Sequence, residues 1–235
     1  NISTIEKAIS SRTKAVILNS PNNPTGAVAS RECLLELAHL VEKYDLIVIS
    51  DEIYDRLVYG VEHVCFATLP EMQKRTILVG GFSKDYAMTG WRLGYVAAPI
   101  ELIKGMLLIH QYTIMAAPTM SQIAGVTAIH QCEEYIEAMR KEYDSRRHLI
   151  VEGLNAIGLP TVEPRGAFYV FPKVSVTGLD ETTFANRLLN EMKVAVVPGV
   201  AFGKGGEGFV RCSYATSAKQ IEEALRRIDH FVKTL

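Results

Sequence analysis

Three short apolar runs constrain the fold of this chain more than any other feature of the sequence. Ala15–Asn19, Leu46–Ser50 and Thr76–Val79 are rich in Val, Ile and Leu and show no alternation of polar and apolar side chains. Strands buried on both faces of a parallel sheet have this composition. A helical pattern, capped by Ser30 and ending near Tyr44, lies between the first two runs, and this order predicts parallel pairing with a right-handed crossover. The predicted fold class is therefore α/β, built on a mostly parallel open sheet.

The second half of the chain predicts a change of architecture. Arg92–Ala98 follows the third run too closely for a crossover helix, so we expect it to pair antiparallel to that run. A long helix is predicted from about Glu133 to Ile157, and the pattern after it is α+β, closing with a helix capped by Ser217. We expect a partial large α/β domain over residues 1–140 and a smaller α+β domain over residues 141–235.

Composition and charge argue against several classes of function. The net charge is −1 and 48% of the residues are hydrophobic, which is not typical of disorder, a nucleic-acid-binding tail or a polybasic membrane patch. No apolar run is long enough to span a bilayer, and the 4 cysteines do not cluster with histidine as metal ligands do. We therefore expect reduced thiols in a cytoplasmic protein, with no metal, nucleic acid or membrane as partner. Residues 57–75 are expected to form a surface excursion without clear chemistry.

Polar side chains follow each of the three runs. Asn23 lies in a turn stiffened by two prolines after the first run. Asp51 follows the second run directly, with Tyr54 one helical turn later, and Lys84 lies just beyond the third run. Because open α/β sheets bind their ligands at the carboxyl ends of the strands, we expect these groups to line one site. Taken singly, they also have structural interpretations: a tight loop, a helix N-cap and a solvated surface lysine.

The combination of groups at this edge predicts a particular kind of ligand. Ser83 and Arg92, on either side of Lys84 in the sequence, add a hydroxyl and a guanidinium. An amine packed in a cleft is partly desolvated, which favours its neutral, nucleophilic form. The sequence therefore predicts a site for a small anionic ring compound that carries a phosphate. Lys84 would form an imine, Asp51 would pair with a ring N–H, and the hydroxyl and guanidinium would hold the phosphate.

Four motifs, in order along nearly the whole chain, resemble those of a known family. They are Asn22-Asn-Pro-Thr-Gly26, Ser50-Asp-Glu-Ile-Tyr54, Phe82-Ser-Lys84 followed by Met88-Thr-Gly-Trp-Arg-Leu-Gly94, and Phe209-Val-Arg-Cys-Ser-Tyr214. Each falls at a predicted element boundary, and together they are similar to the class I/II aminotransferases, which are fold-type I enzymes. The resemblance implies the large α/β and small α+β domains of that family, with pyridoxal 5'-phosphate as the cofactor.

The resemblance also implies a role for each matched side chain. Lys84 would carry the cofactor as a Schiff base, and its amine would then shuttle the proton at the substrate's Cα. Asp51 would keep the pyridine nitrogen protonated. Tyr54 and Asn23 would hydrogen-bond the phenolic oxygen of the ring, and Asn23 would also contact the substrate.

Three further matched positions would bind the charged groups of the cofactor and the substrate. Ser83 and Arg92 would hold the phosphate, and Arg211 would bind the substrate α-carboxylate through two parallel hydrogen bonds. Without the resemblance, an ordinary exposed strand arginine is the preferred interpretation of Arg211. Gly81 stands where many members of the family have a second phosphate-binding hydroxyl, so a weaker or differently shared phosphate contact is expected.

The function implied is transfer of an amino group from an amino acid to a 2-oxo acid, in a cytoplasmic homodimer. One alternative uses the same side chains for elimination, as a pyridoxal-phosphate-dependent β-lyase. A second alternative is the aminotransferase-like effector domain of a transcription regulator, which would need a DNA-binding region upstream. The first residues of this chain show no such region.

Compared with the family pattern, the chain resembles a C-terminal portion. The N-terminal segment of the family supplies a phosphate-binding loop, an aromatic that stacks on the cofactor and further strands of the large sheet, none of which is matched here. The strands present would then form about half of that sheet. On this interpretation Leu46–Ser50 is expected to be an exposed apolar edge strand, which favours aggregation.

Overall fold

The structure, a computed structural model, describes residues 2–235. These residues form two compact units. The first contains the residues up to Pro21 together with Val28–Glu137, and the second contains Asn22–Ala27 together with Ala138–Leu235. A mostly parallel sheet with helices is followed by smaller α+β structure, so the predicted fold class is confirmed. The assignment of folding domains to residues 1–140 and 141–235 stays a prediction.

The first unit is built on a four-stranded sheet in the order β1-β2-β3-β4. Its strands are β1 (Ala15–Asn19), β2 (Ile47–Asp51), β3 (Thr76–Gly81) and β4 (Gly94–Ala97). β2 pairs parallel to both β1 and β3, and β4 pairs antiparallel to β3. All four strands and their directions match the sequence prediction.

Four helices belong entirely to the first unit: α1 (Ile2–Ala8), α2 (Arg31–Lys43), α3 (Ile100–Thr113) and α4 (Thr119–Gln131). The predicted cap of α2 is confirmed, because the Ser30 hydroxyl accepts a hydrogen bond from the Cys33 N–H at 3.3 Å. Apolar residues of α2 at three- and four-residue spacing pack on the sheet: Leu34, Leu37, Ala38 and Val41. The pattern of period 3.6 therefore defines the main core of this unit.

Two expectations about the first unit are wrong. Leu46–Ser50 does not form an edge, because β2 lies between β1 and β3. The edge strands are β1 and β4, and Ile17 on β1 is 75% exposed. Residues 57–75 are not a surface excursion either. Tyr59, Phe66 and Met72 from this segment are fully buried. Their burial depends on long-range packing, and no periodic pattern in the sequence marks it.

The second unit contains a three-stranded antiparallel sheet in the order β5-β7-β6. Its strands are β5 (Tyr169–Val170), β6 (Val197–Pro198) and β7 (Val210–Ser213). The helices are α5 (Glu133–Ala156), which begins in the first unit, α6 (Glu181–Met192) and α7 (Ala218–Lys233). Short 3₁₀ turns occur in both units at Phe66–Thr68, Met72–Lys74, Thr89–Trp91, Ser175–Thr177, Gly199–Phe202 and Lys204–Gly206.

Of two helices in the second unit, the sequence predicted one and missed the other. The Ser217 hydroxyl caps α7 by accepting from the Gln220 N–H at 3.3 Å, as predicted. Helix α6 was not predicted, although Asp180 caps it through two backbone N–H groups. The rings of Phe184 on α6 and Phe231 on α7 meet edge to face at 5.4 Å, so the two helices share one apolar core.

Helices α3 and α4 leave a broad apolar surface exposed to solvent. Leu108 is 58% exposed, Ile109 68% and Tyr112 82% on α3, and on α4 Met120 is 75% and Ile123 64% exposed. Large exposed apolar side chains grouped on a surface mark regions that contact other protein. No helix of the described residues combines the length and the hydropathy needed to cross a membrane.

We expect the 235-residue chain to associate in a concentration-dependent way through this surface. The double substitution Leu108→Lys and Ile109→Lys should reduce the mean mass measured by light scattering, because two charges replace exposed apolar area. It should change the free energy of unfolding by no more than about 0.5 kcal/mol, as is usual for surface positions. Val162→Lys is the matched control, since Val162 is 86% exposed and lies in the second unit. A monomeric wild-type chain at all concentrations would contradict this expectation.

Candidate functional site

The structure places the predicted site residues in both units. Five belong to the first unit: Asp51, Tyr54, Ser83, Lys84 and Arg92. Asn23 and Arg211 belong to the second unit, where they contact each other.

Asp51 is the last residue of β2 and is held there by backbone contacts. Its carbonyl oxygen accepts from the Asn19 side-chain amide at 3.3 Å and from the Ser20 N–H at 3.2 Å. Its carboxylate Oδ1 accepts from the Ile53 N–H at 3.3 Å, which closes a turn rather than opening a helix. The helix N-cap interpretation is therefore wrong. A half-buried carboxylate stands at the carboxyl end of a central strand.

The turn after Asp51 is anchored by a buried acid that sequence reasoning missed. Glu52 is 5% exposed and accepts hydrogen bonds from the Ser50 hydroxyl at 2.8 Å, the Phe66 N–H at 3.0 Å and His63 Nε2 at 2.6 Å. Burial raises the pKa of Glu52, but the hydrogen bonds together outweigh burial and lower the pKa below its ordinary value. Glu52 is thus ionised and rigid. This anchor fixes the backbone between Asp51 and the buried Tyr54.

Lys84 lies in a tightly folded turn beyond β3. The Phe82 N–H donates to the Leu93 carbonyl at 3.2 Å, while the Phe82 carbonyl accepts from the Met88 N–H at 3.1 Å. Ala87, with φ of 53°, takes the left-handed conformation that lets the chain turn back. Lys84 itself is half-buried, in agreement with a cleft position. The structure therefore does not support the interpretation of Lys84 as a solvated surface lysine.

Ser83 and Arg92 are linked through the same loop. The Thr89 hydroxyl donates to the Ser83 carbonyl at 2.7 Å, and Arg92 Nη1 donates to the Thr89 carbonyl at 2.9 Å. Arg92 is exposed and has φ of 54°. Amine, hydroxyl and guanidinium are therefore carried by one compact loop, which is a suitable donor set for a phosphate.

The ring of Tyr95 packs closely over Gly80, where there is no side chain to displace it. A Cβ at Gly80 would lie 2.5 Å from the Tyr95 ring. At Gly81 a Cβ would lie 3.0 Å from Ile53 and 3.1 Å from the Gly94 Cα, so the hydroxyl that many members of the resembled family have there would need its neighbours to move. Close packing thus accounts for the glycine pair at the end of β3.

In the second unit, Arg211 on β7 is held on three sides. Its Nη1 donates to Asn23 Oδ1 at 2.8 Å, and its guanidinium lies 4.5 Å from the ring centroid of Tyr169 and 4.9 Å from that of Phe202. Stacking on aromatic faces leaves the edge of a planar guanidinium for a second partner. The two aromatic residues were not predicted, because neither belongs to a motif that marks them.

The turn that carries Asn23 is fixed within the second unit. The Gly26 carbonyl accepts from the Arg165 N–H at 2.9 Å and from the Gly166 N–H at 2.8 Å. Gly26 has φ of 68°, and a Cβ there would lie 2.3 Å from Pro164 Cβ. The turn therefore depends on glycine at position 26, both for its backbone conformation and for its packing.

Other reactive groups in the described residues offer no competing site. Burial raises the pKa of the Cys212 thiol to about 12, despite the opposing charge of Arg211, so this thiol stays protonated. All four cysteines lack a disulfide. No group of three His, Cys, Asp or Glu side chains in the described part could hold a metal ion.

Comparison with known proteins gives a consistent result. The family model for aminotransferase class I and II matches residues 1–228. The aspartate aminotransferase of Pyrococcus abyssi (strain GE5 / Orsay) is 48% identical over 236 residues, covering 99% of this chain and 61% of that protein. Aromatic-amino-acid aminotransferase 2 of Thermococcus litoralis is 44% identical over 236 residues, with the same two coverages of 99% and 61%.

A solved structure extends the similarity to the fold. The crystal structure of an aromatic aminotransferase from Pyrococcus horikoshii OT3 matches with a TM-score of 0.97 and 48% identity, covering 100% of this chain and 64% of that chain. The chain thus spans 61% of the length of each of the two curated relatives above.

The buried Glu52 anchor leads to a prediction about stability. Glu52→Gln should lower the free energy of unfolding at pH 7 by about 1–3 kcal/mol, because an amide nitrogen would face the donors that the carboxylate now accepts from. The lowered pKa means that wild-type Glu52 stabilises the fold above about pH 4.5 and loses this effect as the pH falls through its folded pKa. Urea unfolding at pH 7 and pH 3.5 should show the difference shrinking at the lower pH.

Glu71→Gln serves as the control for this experiment. Glu71 pairs with Lys74 at 2.8 Å on the surface, with 64% of its side chain exposed, so its substitution should have little effect at either pH. An equal loss of stability in Glu52→Gln at both pH values would contradict the ionised anchor.

Proposed function

The chain belongs to the class I and II aminotransferase family, and on that premise we propose that it carries the lysine, ring-nitrogen and phosphate ligands of a pyridoxal-phosphate-dependent aminotransferase. The reaction would move an amino group from an amino acid to a 2-oxo acid. One observation carries the proposal: the adjacent parallel strands β2 and β3 end in Asp51 and in the loop of Ser83 and Lys84 at one edge of the sheet.

The donor set in the first unit fits the cofactor that the family uses. Pyridoxal phosphate, when bound, supplies an electron sink that stabilises negative charge at the substrate's Cα. Lys84 Nζ would hold the cofactor and would then remove and return the proton at that Cα. The Asp51 carboxylate would accept a hydrogen bond from the ring N–H and keep it protonated. The Tyr54 hydroxyl would donate to the ring oxygen.

Phosphate binding is assigned to the loop that follows β3. Its members have the chemistry required, since the Ser83 hydroxyl is a neutral donor and Arg92 is a permanent cation. Thr89 supports both through the hydrogen bonds described above, so it holds the two phosphate ligands in one loop conformation.

Arg211 and Asn23 are assigned to the substrate. An arginine presents two parallel N–H donors in the plane of its guanidinium, which matches a carboxylate. Asn23 already accepts from Arg211, and its side-chain nitrogen is a further donor. This assignment favours substrates with an α-carboxylate, which both amino acids and 2-oxo acids carry.

We also propose that the protein acts as a cytoplasmic homodimer. The apolar surface of α3 and α4 supports association, because it is broad and exposed in the single chain. The four unpaired cysteines are consistent with a reducing compartment.

Lys84→Ala in the full-length protein tests the function. It should abolish the visible absorbance of the bound cofactor and lower turnover at least about 100-fold, because no other amine would occupy that position. The substrate assay offers a panel that includes aspartate and aromatic amino acids with 2-oxoglutarate. New amino acid as the product indicates transfer, whereas release of ammonia and pyruvate indicates the β-lyase alternative.

Lys74→Ala is the matched control, because Lys74 is 76% exposed and pairs only with a surface glutamate among the contacts described. It should keep both the absorbance and the turnover. Reduction with borohydride, followed by peptide mapping, identifies the labelled lysine directly. A label on any lysine except Lys84 would overturn the assignment.

Arg211→Lys tests the substrate assignment separately. The KM for amino acids should rise roughly 10- to 100-fold, since a point charge replaces the two-pronged contact, while the visible absorbance stays as in the wild type. Amines that lack the carboxylate provide the control, because their turnover should not respond to this substitution. If the wild type used amino acids and their decarboxylated amines equally well, Arg211 would bind no substrate carboxylate.

A further inference from the structure

Two acidic side chains meet between the turns that follow β2 and β3. Asp55 comes directly after Tyr54, and Asp85 comes directly after Lys84. A side-chain hydrogen bond joins the two carboxyl groups, and the backbone N–H of Arg56 also donates to the Asp85 carboxyl. Both turns belong to the first unit. These contacts link the segment of the proposed ring ligands to the segment of the proposed cofactor lysine.

Asp85 is in an unfavourable place for a negative charge. Its side chain is 2% exposed, and its Oδ1 has no hydrogen-bond partner among the described residues. Burying an ionised carboxylate with one oxygen unsatisfied is costly, whereas a neutral acid leaves only one carbonyl-like oxygen without a donor. Two ionised carboxylates cannot hydrogen-bond to each other, so the contact itself requires a proton.

The pKa of Asp85 agrees with this geometry. Burial raises the pKa of Asp85 to about 10, the hydrogen bond to Asp55 and its charge add to the rise, and Arg56 opposes it. Asp85 is therefore the protonated member of the pair, and it donates to the Asp55 carboxylate.

The neighbouring groups offer little to compensate a second negative charge. Arg56 is the cation that acts on Asp85, and it is already paired with Glu133 and donates to the Tyr86 hydroxyl at 3.5 Å. Tyr95 also faces the pair: burial raises its pKa, and the charges of Asp55, Asp85, Tyr86 and Glu52 raise it further. An ionised Asp85 would thus lie beside other acids and phenols. The cation that acts on it, Arg56, is already paired with Glu133.

We propose that Asp55 and Asp85 share one proton, and that this neutral–ionised pair holds the Lys84 turn against the turn of Asp51 and Tyr54. Asp85 is then a positioning residue that acts through Lys84. The positioning role rests on the proposed function of Lys84, whereas the shared proton does not.

The first arm of the test measures stability and needs no cofactor. Asp85→Asn keeps a hydrogen-bond donor toward Asp55 but cannot ionise. Because the folded pKa of Asp85 is raised, the wild-type pair stabilises the fold fully at low pH and loses this effect as the pH rises toward about 10. The ratio of folding constants, variant over wild type, should therefore increase from pH 6 to pH 10, by up to about tenfold per pH unit for one proton. Parallel profiles would overturn the shared proton.

Two further variants keep this arm informative. Asp55→Asn leaves Asp85 able to ionise and accept from the new amide, so it should weaken the same dependence on pH, although the burial of Asp85 remains. Asp85→Ala removes the hydrogen bond and should destabilise the fold at pH 6, and this loss should shrink as the pH rises toward 10. If Asp85→Ala does not fold, the two asparagine variants still decide the question. A pH dependence in Asp55→Asn identical to the wild type would overturn the pair.

The second arm examines Lys84 in the full-length protein with cofactor bound. Asp85→Ala should lower kcat about tenfold with little change in KM and should shift the pH midpoint of the visible absorbance, whereas Asp85→Asn should restore both. A folded Asp85→Ala with wild-type kcat and midpoint would overturn the positioning role. A failure of the proposed function gives a different result. In that case Lys84→Ala would keep the visible absorbance of the cofactor, while the stability measurements of the first arm would still show whether Asp55 and Asp85 share a proton.

Discussion

The parallel pairing of β2 with both of its neighbours is the constraint on which the first unit depends. In this register Asn19 lies opposite Asp51, and Asp51 lies opposite Val79. Parallel strands end at the same edge of a sheet, so the backbone alone delivers the carboxylate of Asp51 and the loop of Lys84 to one side. Glu52 and the Asp55–Asp85 pair then fix turns whose starting points the sheet has already set.

Two buried acids in this region show that partners, and not residue type, decide the charge of a carboxyl group. Glu52 faces two N–H or O–H donors and an imidazole, which together stabilise its anion although burial opposes it. Asp85 faces another carboxyl group, and its neutral form is the one that the site can accommodate. The two acids support neighbouring turns with opposite protonation states. In each case the protonation state is the one that leaves the fewest buried polar atoms without a suitable partner.

Local patterns predicted much of this molecule, and long-range contacts account for what they missed. The apolar runs located the strands, and Ser30 and Ser217 marked helix starts, because these signals act within a few residues. The predicted site residues Lys84 and Asp51 lie at the expected strand ends for the same reason. By contrast, His63 reaches Glu52 across a segment without periodicity, and nothing in the sequence distinguishes Asp85 from a surface aspartate. Strand order is also non-local, so the sequence does not show that β2 lies between β1 and β3.

The contacts of Arg211 reduce the side-chain entropy that it would lose on binding a ligand. A flexible arginine has roughly 2 kcal/mol of rotamer entropy to lose when it is immobilised by a ligand. Here Tyr169, Phe202 and Asn23 already restrict the guanidinium before any ligand arrives. Much of that ordering therefore takes place when the chain folds, so the carboxylate that the proposed function assigns to Arg211 would meet a preorganised partner.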